Sequence, residues 1–216
     1  MLRLPTSTAA ETSVQMGIAA ELLADSKATA WPQSLYDTFD DNRNLWPYGS
    51  IPSDSVKGNR LLAEGQYRWE ATALRDVQLR ARPDVTPVAN FVVKVEAQRI
   101  RGPADVSYGL LFRESNEDQA YAFLARDSGY FSFFLREVYG WKPIIDWTWT
   151  PEIHSGTANE LKVVAEGSSF TFHINNVLVG EAQDYRLCDG WVGLALGLRA
   201  GYEVSFEFDN FELHEQ

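Results

Sequence analysis

Apolar residues recur at every second position through most of this chain, and a period of two admits little besides β-strands with one buried face. Tyr67, Trp69, Ala71 and Ala73 alternate with Arg68, Glu70 and Thr72. Phe91, Val93, Val95 and Ala97 alternate with Val92, Lys94, Glu96 and Gln98. Similar runs begin at Tyr108, Tyr121, Phe131, Leu161, Phe170, Val177, Val192 and Val204. In the last of them the phase slips by one residue at Asp209-Asn210, which predicts a β-bulge. Asn175-Asn176 predicts a two-residue hairpin turn, since Asn tolerates positive φ. Turn signals such as Arg101-Gly102-Pro103, Asp127-Ser128-Gly129 and Asp189-Gly190 separate the runs. One open sheet cannot bury so many Phe, Val and Leu side chains, so the expected class is all-β, a two-sheet antiparallel sandwich.

Composition narrows the function. The 216 residues suit a single sandwich core. A formal charge of −11 repels phosphate backbones and anionic lipid, which disfavours nucleic-acid and membrane-surface partners. The single Cys excludes an internal disulfide framework. Nothing approaches the roughly 20 apolar residues of a membrane helix, and Pro5 to Thr8 interrupt any signal-peptide core. The compartment stays open, with the cytoplasm as the default. Residues 1–30 lack aromatics and form an expected extension, with Ser13 capping a loose helix through Met16, Ile18, Leu22 and Leu23. That extension is a candidate tether for a protein partner. The domain proper is expected over residues 31–216.

Several stretches, taken in order, resemble a known superfamily. They are Leu35-Tyr36-Asp37-Thr38-Phe39-Asp40-Asp41 with Leu45-Trp46, and Gly102-Pro103 leading into Tyr108-Gly109-Leu110-Leu111-Phe112-Arg113. Tyr121, Gly129-Tyr130-Phe131, Trp147, Asn159-Glu160-Leu161-Lys162-Val163 and the Asn175-Asn176 turn follow. Gly190-Trp191-Val192-Gly193-Leu194 and Phe208-Asp209-Asn210-Phe211 complete the series. This order resembles the concanavalin A-like jelly-roll superfamily, and within it the bacterial 3-keto-disaccharide hydrolase-like group and related lectin-like modules. The resemblance covers roughly residues 31–213 and implies a jelly roll with one concave and one convex sheet. It constrains function loosely, because that fold hosts enzymes, lectins and spacers.

Candidate chemistry falls into four groups. Glu207, Asp209 and Glu212 have the spacing of retaining glucanases that share the fold, in which two carboxyls about 5–5.5 Å apart do the chemistry. A solvated acidic face on a terminal strand explains the same residues. Asp40, Asp41 and Asp209 are candidates for a structural calcium, which needs hard oxygen ligands; a plain turn at Asp40-Asp41 is the alternative. Arg113 alternates opposite Tyr108, Leu110 and Phe112, and its fork suits sugar hydroxyls or a carboxylate; an ion pair with Glu114 or Glu137 is the alternative. Tyr139, Trp141, Lys142, Asp146, Trp147 and Trp149 combine stacking rings with polar groups, as sugar sites do; burial of the rings in the core is the alternative. His154, His173 and His214 have no zinc-ligand spacing, and His173 is expected at the surface. Cys188 is expected to be partly buried at a strand entry.

These features lead to a non-catalytic carbohydrate-binding module with a glycan ligand and no required cofactor. A glycoside hydrolase or 3-keto-glycoside-cleaving enzyme is the second expectation, and a structural or protein-interaction spacer the third.

Overall fold

The computed structural model describes residues 30–116, 119–138 and 140–216. Its regular elements are fifteen strands. They are β1 (Gln33–Asp37), β2 (Gly49–Ser50), β3 (Val56–Ala63), β4 (Gln66–Ala73) and β5 (Val77–Ala81). Next come β6 (Phe91–Arg101), β7 (Ser107–Asn116), β8 (Gln119–Arg126), β9 (Tyr130–Glu137) and β10 (Gly140–Trp149). β11 (Asn159–Glu166), β12 (Ser169–Ile174), β13 (Val177–Gln183), β14 (Trp191–Leu198) and β15 (Glu203–Glu215) complete the chain.

The strands pair antiparallel in two sheets. One has nine strands in the order β13-β12-β11-β6-β15-β4-β3-β2, with β1 added beside the C-terminal half of β15. The other has six in the order β10-β9-β8-β7-β14-β5. Alternation aims one face of each sheet at the other, so a single core forms between them. Phe112, Tyr121, Phe123 and Phe133 from the six-stranded sheet meet Phe170 and Phe172 from the nine-stranded sheet. The Phe133 and Phe172 rings lie 4.6 Å apart. Offset and tilted ring contacts of this kind add to the area they bury.

Two local expectations hold. Asn175 and Asn176 have φ of 50° and 67°, as a hairpin turn of the mirror-image type requires. On β15 the register against β6 shifts between Asp209 and Glu212, with Asn210 at φ 50°. This bulge lets Phe206 and Phe208 before it, and Phe211 and Leu213 after it, all reach the core.

The aromatic run near Trp147 forms the outermost strand β10, which contains Pro143 and slips its register twice against β9. Two placements differ from expectation. His173 is fully buried, because it pairs across strands with Lys162 on a part of the outer sheet face where both are enclosed. Cys188 is exposed, because it lies in the irregular segment before β14. The helix expected through Met16 to Leu23 lies outside the described residues.

Candidate functional site

The outer face of the six-stranded sheet is built from small and apolar residues. On β14, Val192, Leu194 and Leu196 face the core, so Gly193, Ala195 and Gly197 face outward. By the same phase β8 turns Ala122 and Leu124 outward, and β7 turns Leu111. Leu111, Ala120, Ala122, Leu124 and Ala195 form a second, buried apolar cluster, against which Phe134, Trp141 and Trp147 pack. The larger side chains beside it close over this floor, leaving Gly197 partly exposed.

Polar groups border this floor on both sides. Near β10, Arg126 lays its guanidinium over the Trp147 ring, 3.5 Å from the centroid. Phe134 holds the same indole from another side, with centroids 5.6 Å apart. Among the described residues Arg126 makes no ion pair, and its Nε has no hydrogen-bond partner. Burial and the nearby Arg199 charge both lower its pKa. Gln78, Ser107, Arg126, Phe134, Trp141 and Trp147 line a cavity of about 370 Å³. Across the sheet, Arg82 stacks on Trp191 at 4.0 Å, and the Glu114 carboxylate accepts from Arg80 and pairs with Arg82. These groups border a larger cavity of about 600 Å³ along β5, and Val77 and Gln78 line both spaces.

The residues singled out in the sequence are divided between this face and other places. Trp141 and Trp147 lie on it, half-buried. Trp149 is 62% exposed, with its indole beside Gly129. Lys142 is paired with Glu137, whose pKa that contact lowers. The Asp146 carboxylate accepts from the backbone N–H of Trp147 at 2.8 Å. Tyr139 lies outside the described residues.

Arg113 is a correction. It is 1% exposed and points into the interior. Its Nη1 donates to Leu187 O at 2.8 Å, and its Nη2 to Ala89 O at 2.8 Å and Gly167 O at 2.6 Å. The guanidinium rests on Phe170, and burial lowers its pKa. Neither Glu114 nor Glu137 is its partner. The physical reason is the backbone. Arg113 has φ 48°, and the register against β8 shifts between Phe112 and Asn116, which turns the side chain off the outer face.

The carboxylate groups also lie elsewhere. Glu207, Asp209 and Glu212 lie on the polar phase of β15, in the nine-stranded sheet. Glu207 pairs with Arg68 at 2.6 Å. Glu212 pairs with Lys94 at 2.8 Å and with His214. Burial alone would raise the Glu212 pKa, but the His214 and Lys94 contacts outweigh it and hold the pKa down. Asp209 accepts from the Asn210 N–H, while burial and the charges of Glu96, Asp40 and Asp37 raise its pKa. The motif therefore does not face the cavities of the six-stranded sheet.

Each expected calcium donor has a hydrogen-bond partner of its own, Asp209 with the Asn210 N–H as above. Asp41 is clamped by Arg43 at 2.7 and 2.8 Å, which lowers its pKa to about 2. Asp40 accepts from Thr38 Oγ1 at 2.6 Å. Among the described residues no three His, Cys, Asp or Glu side chains gather to hold a metal.

Alternation already places Arg126 on the face of Ala122 and Leu124, so this site residue was accessible from sequence. Gln78 and Arg82 were not, because the short strand β5 has too few alternating residues to stand out.

No family model and no curated protein sequence matches the chain. Solved structures do match. The carbohydrate-binding module CBM66 from Bacillus subtilis is 18% identical with a TM-score of 0.54, covering 79% of this chain and 95% of that one. A protein of unknown function with a galectin-like fold, also from Bacillus subtilis, is 11% identical with a TM-score of 0.60, covering 85% and 96%. The Bacillus licheniformis β-glucanase is 9% identical with a TM-score of 0.63, covering 86% and 99%. At these identities the likeness speaks to architecture: the chain has the concanavalin A-like jelly-roll fold.

Proposed function

We propose that the chain is a carbohydrate-binding module that holds a glycan on the outer face of its six-stranded sheet. One observation carries this reading. A largely buried floor of Gly, Ala and Leu is bordered by the partly exposed Arg126–Trp147 stack on one side and the Arg82–Trp191 stack on the other. Sugars offer apolar ring faces and a rim of hydroxyls, and these bordering rings and guanidinium groups meet both. The likeness to a carbohydrate-binding module supports the same reading. Binding is favoured over hydrolysis because Glu207 and Glu212 are held by basic partners on the other sheet, away from this face. Glycan-array screening followed by calorimetry tests the proposal. A glycan should bind, and Trp141→Ala and Arg82→Ala should each weaken it about ten-fold. Unchanged affinity in both variants, or no glycan bound, would count against it.

A further inference from the structure

Four strands contribute one residue each to a single cross-strand row: Gln78 on β5, Gly197 on β14, Ser107 on β7 and Arg126 on β8. All four line the smaller cavity. Three inter-strand spacings separate the ends of the row, about 14 Å between Cα atoms, which leaves room for one sugar ring between two inward-reaching side chains. Gly197 keeps the middle low. A Cβ there would meet Ser107 Oγ at 2.3 Å.

The two ends of the row each hold a buried polar atom without a partner. Gln78 Oε1 is an acceptor lacking a donor, and Arg126 Nε is a donor lacking an acceptor. Leaving such atoms unsatisfied costs about 1–3 kcal/mol each, so a native protein that keeps two in one cavity has a use for them. We propose that this cavity is a subsite for one uncharged sugar residue, seated over Gly197 with one hydroxyl donating to Gln78 and another accepting from Arg126. The inference rests on the carbohydrate-binding reading and adds to it the class of sugar and the residues that choose it.

Chemistry selects the ligand. A hydroxyl both donates and accepts, so one sugar satisfies both orphaned atoms. A carboxylate or phosphate only accepts. It would serve Arg126, leave Gln78 Oε1 unpaired and meet a cavity lined in part by Asp76. An apolar ligand would satisfy neither atom. The Trp147 shelf fixes the Arg126 fork before the ligand arrives, which reduces the ordering cost of binding.

Calorimetry on the full chain with laminarihexaose, a neutral fructo-oligosaccharide and trigalacturonate, at about 20 and about 500 mM NaCl, tests this. A neutral oligosaccharide should bind with the same Kd at both salt concentrations. Gln78→Leu and Arg126→Gln should each raise that Kd about ten-fold or more, with thermal midpoints close to wild type. In the unmodified chain, the Trp147 indole N–H resonance should shift on titration, which tests the site even if a variant folds poorly. Binding of trigalacturonate alone, weakened by salt, would overturn the uncharged-sugar assignment. Neutral binding that both variants leave unchanged, with the Trp147 resonance static, would overturn the subsite and leave the carbohydrate reading standing. Failure of all three saccharides to bind would overturn this inference, and the absence of any array ligand would overturn the carbohydrate reading with it.

Discussion

Arg113 and Arg126 lie on neighbouring strands and serve different ends. Arg113 gathers three backbone carbonyls in the interior, where no water competes. Arg113→Leu should therefore destabilise the fold by about 3 kcal/mol or more, because it strands those carbonyls. Urea denaturation measures this, and a change below about 1 kcal/mol would contradict the role. Alternation alone assigns Arg113 to the outer face. One residue in the left-handed region reverses that assignment, and hydrophobic pattern carries no mark of it. Arg126 keeps its phase and was legible as outward-facing. That it lacks an ion pair was not legible, since pairing depends on strands distant in sequence.

Bulges and corners decide which strands can share the core. On β15 the extra residue at Asn210 keeps Phe211 and Leu213 inward. Deleting Asn210 should turn both outward and abolish folding, seen as loss of the near-ultraviolet circular dichroism signal. Retention of native dichroism would refute this. Between β13 and β14, Asp184 accepts from the Tyr121 hydroxyl and from Arg186 Nε, and Tyr121 also accepts from the Leu187 N–H at 3.2 Å. Burial opposes ionisation of Asp184, but the Arg186 and Tyr121 donors outweigh it and lower the pKa. The unfolded chain, with an aspartate pKa of about 3.9, then takes up the proton first as pH falls. The stabilisation is complete above that value and disappears as pH drops through the lower folded pKa. The gap in urea midpoint between wild type and Asp184→Asn should narrow from about pH 6 to about pH 3; a constant gap would contradict the assignment. The strands with alternating Phe, Val and Leu were legible from sequence. β3 and β5 were not, because they lie at or near the sheet margins, where burial is partial and apolar residues thin out.

Both sheets donate side chains to one core, so the two layers stand or fall together. Far-ultraviolet dichroism and tryptophan fluorescence should report one superimposable unfolding transition; separated midpoints would refute a single cooperative unit. The class of fold was plain from periodicity, whereas the site was only half visible, since it arises where β5, β14, β7 and β8 come into register. Net charge acts across the whole surface too. At −11 the molecule repels polyanions at a distance, while Arg126, which makes no ion pair among the described residues, stays available at short range. The outermost ribbon of that sheet has its own consequence. Pro143 withholds an amide hydrogen and two slipped registers warp β10, so this flank offers no straight template to a second copy. Concentrated solutions should thus stay free of fibrils growing from that margin.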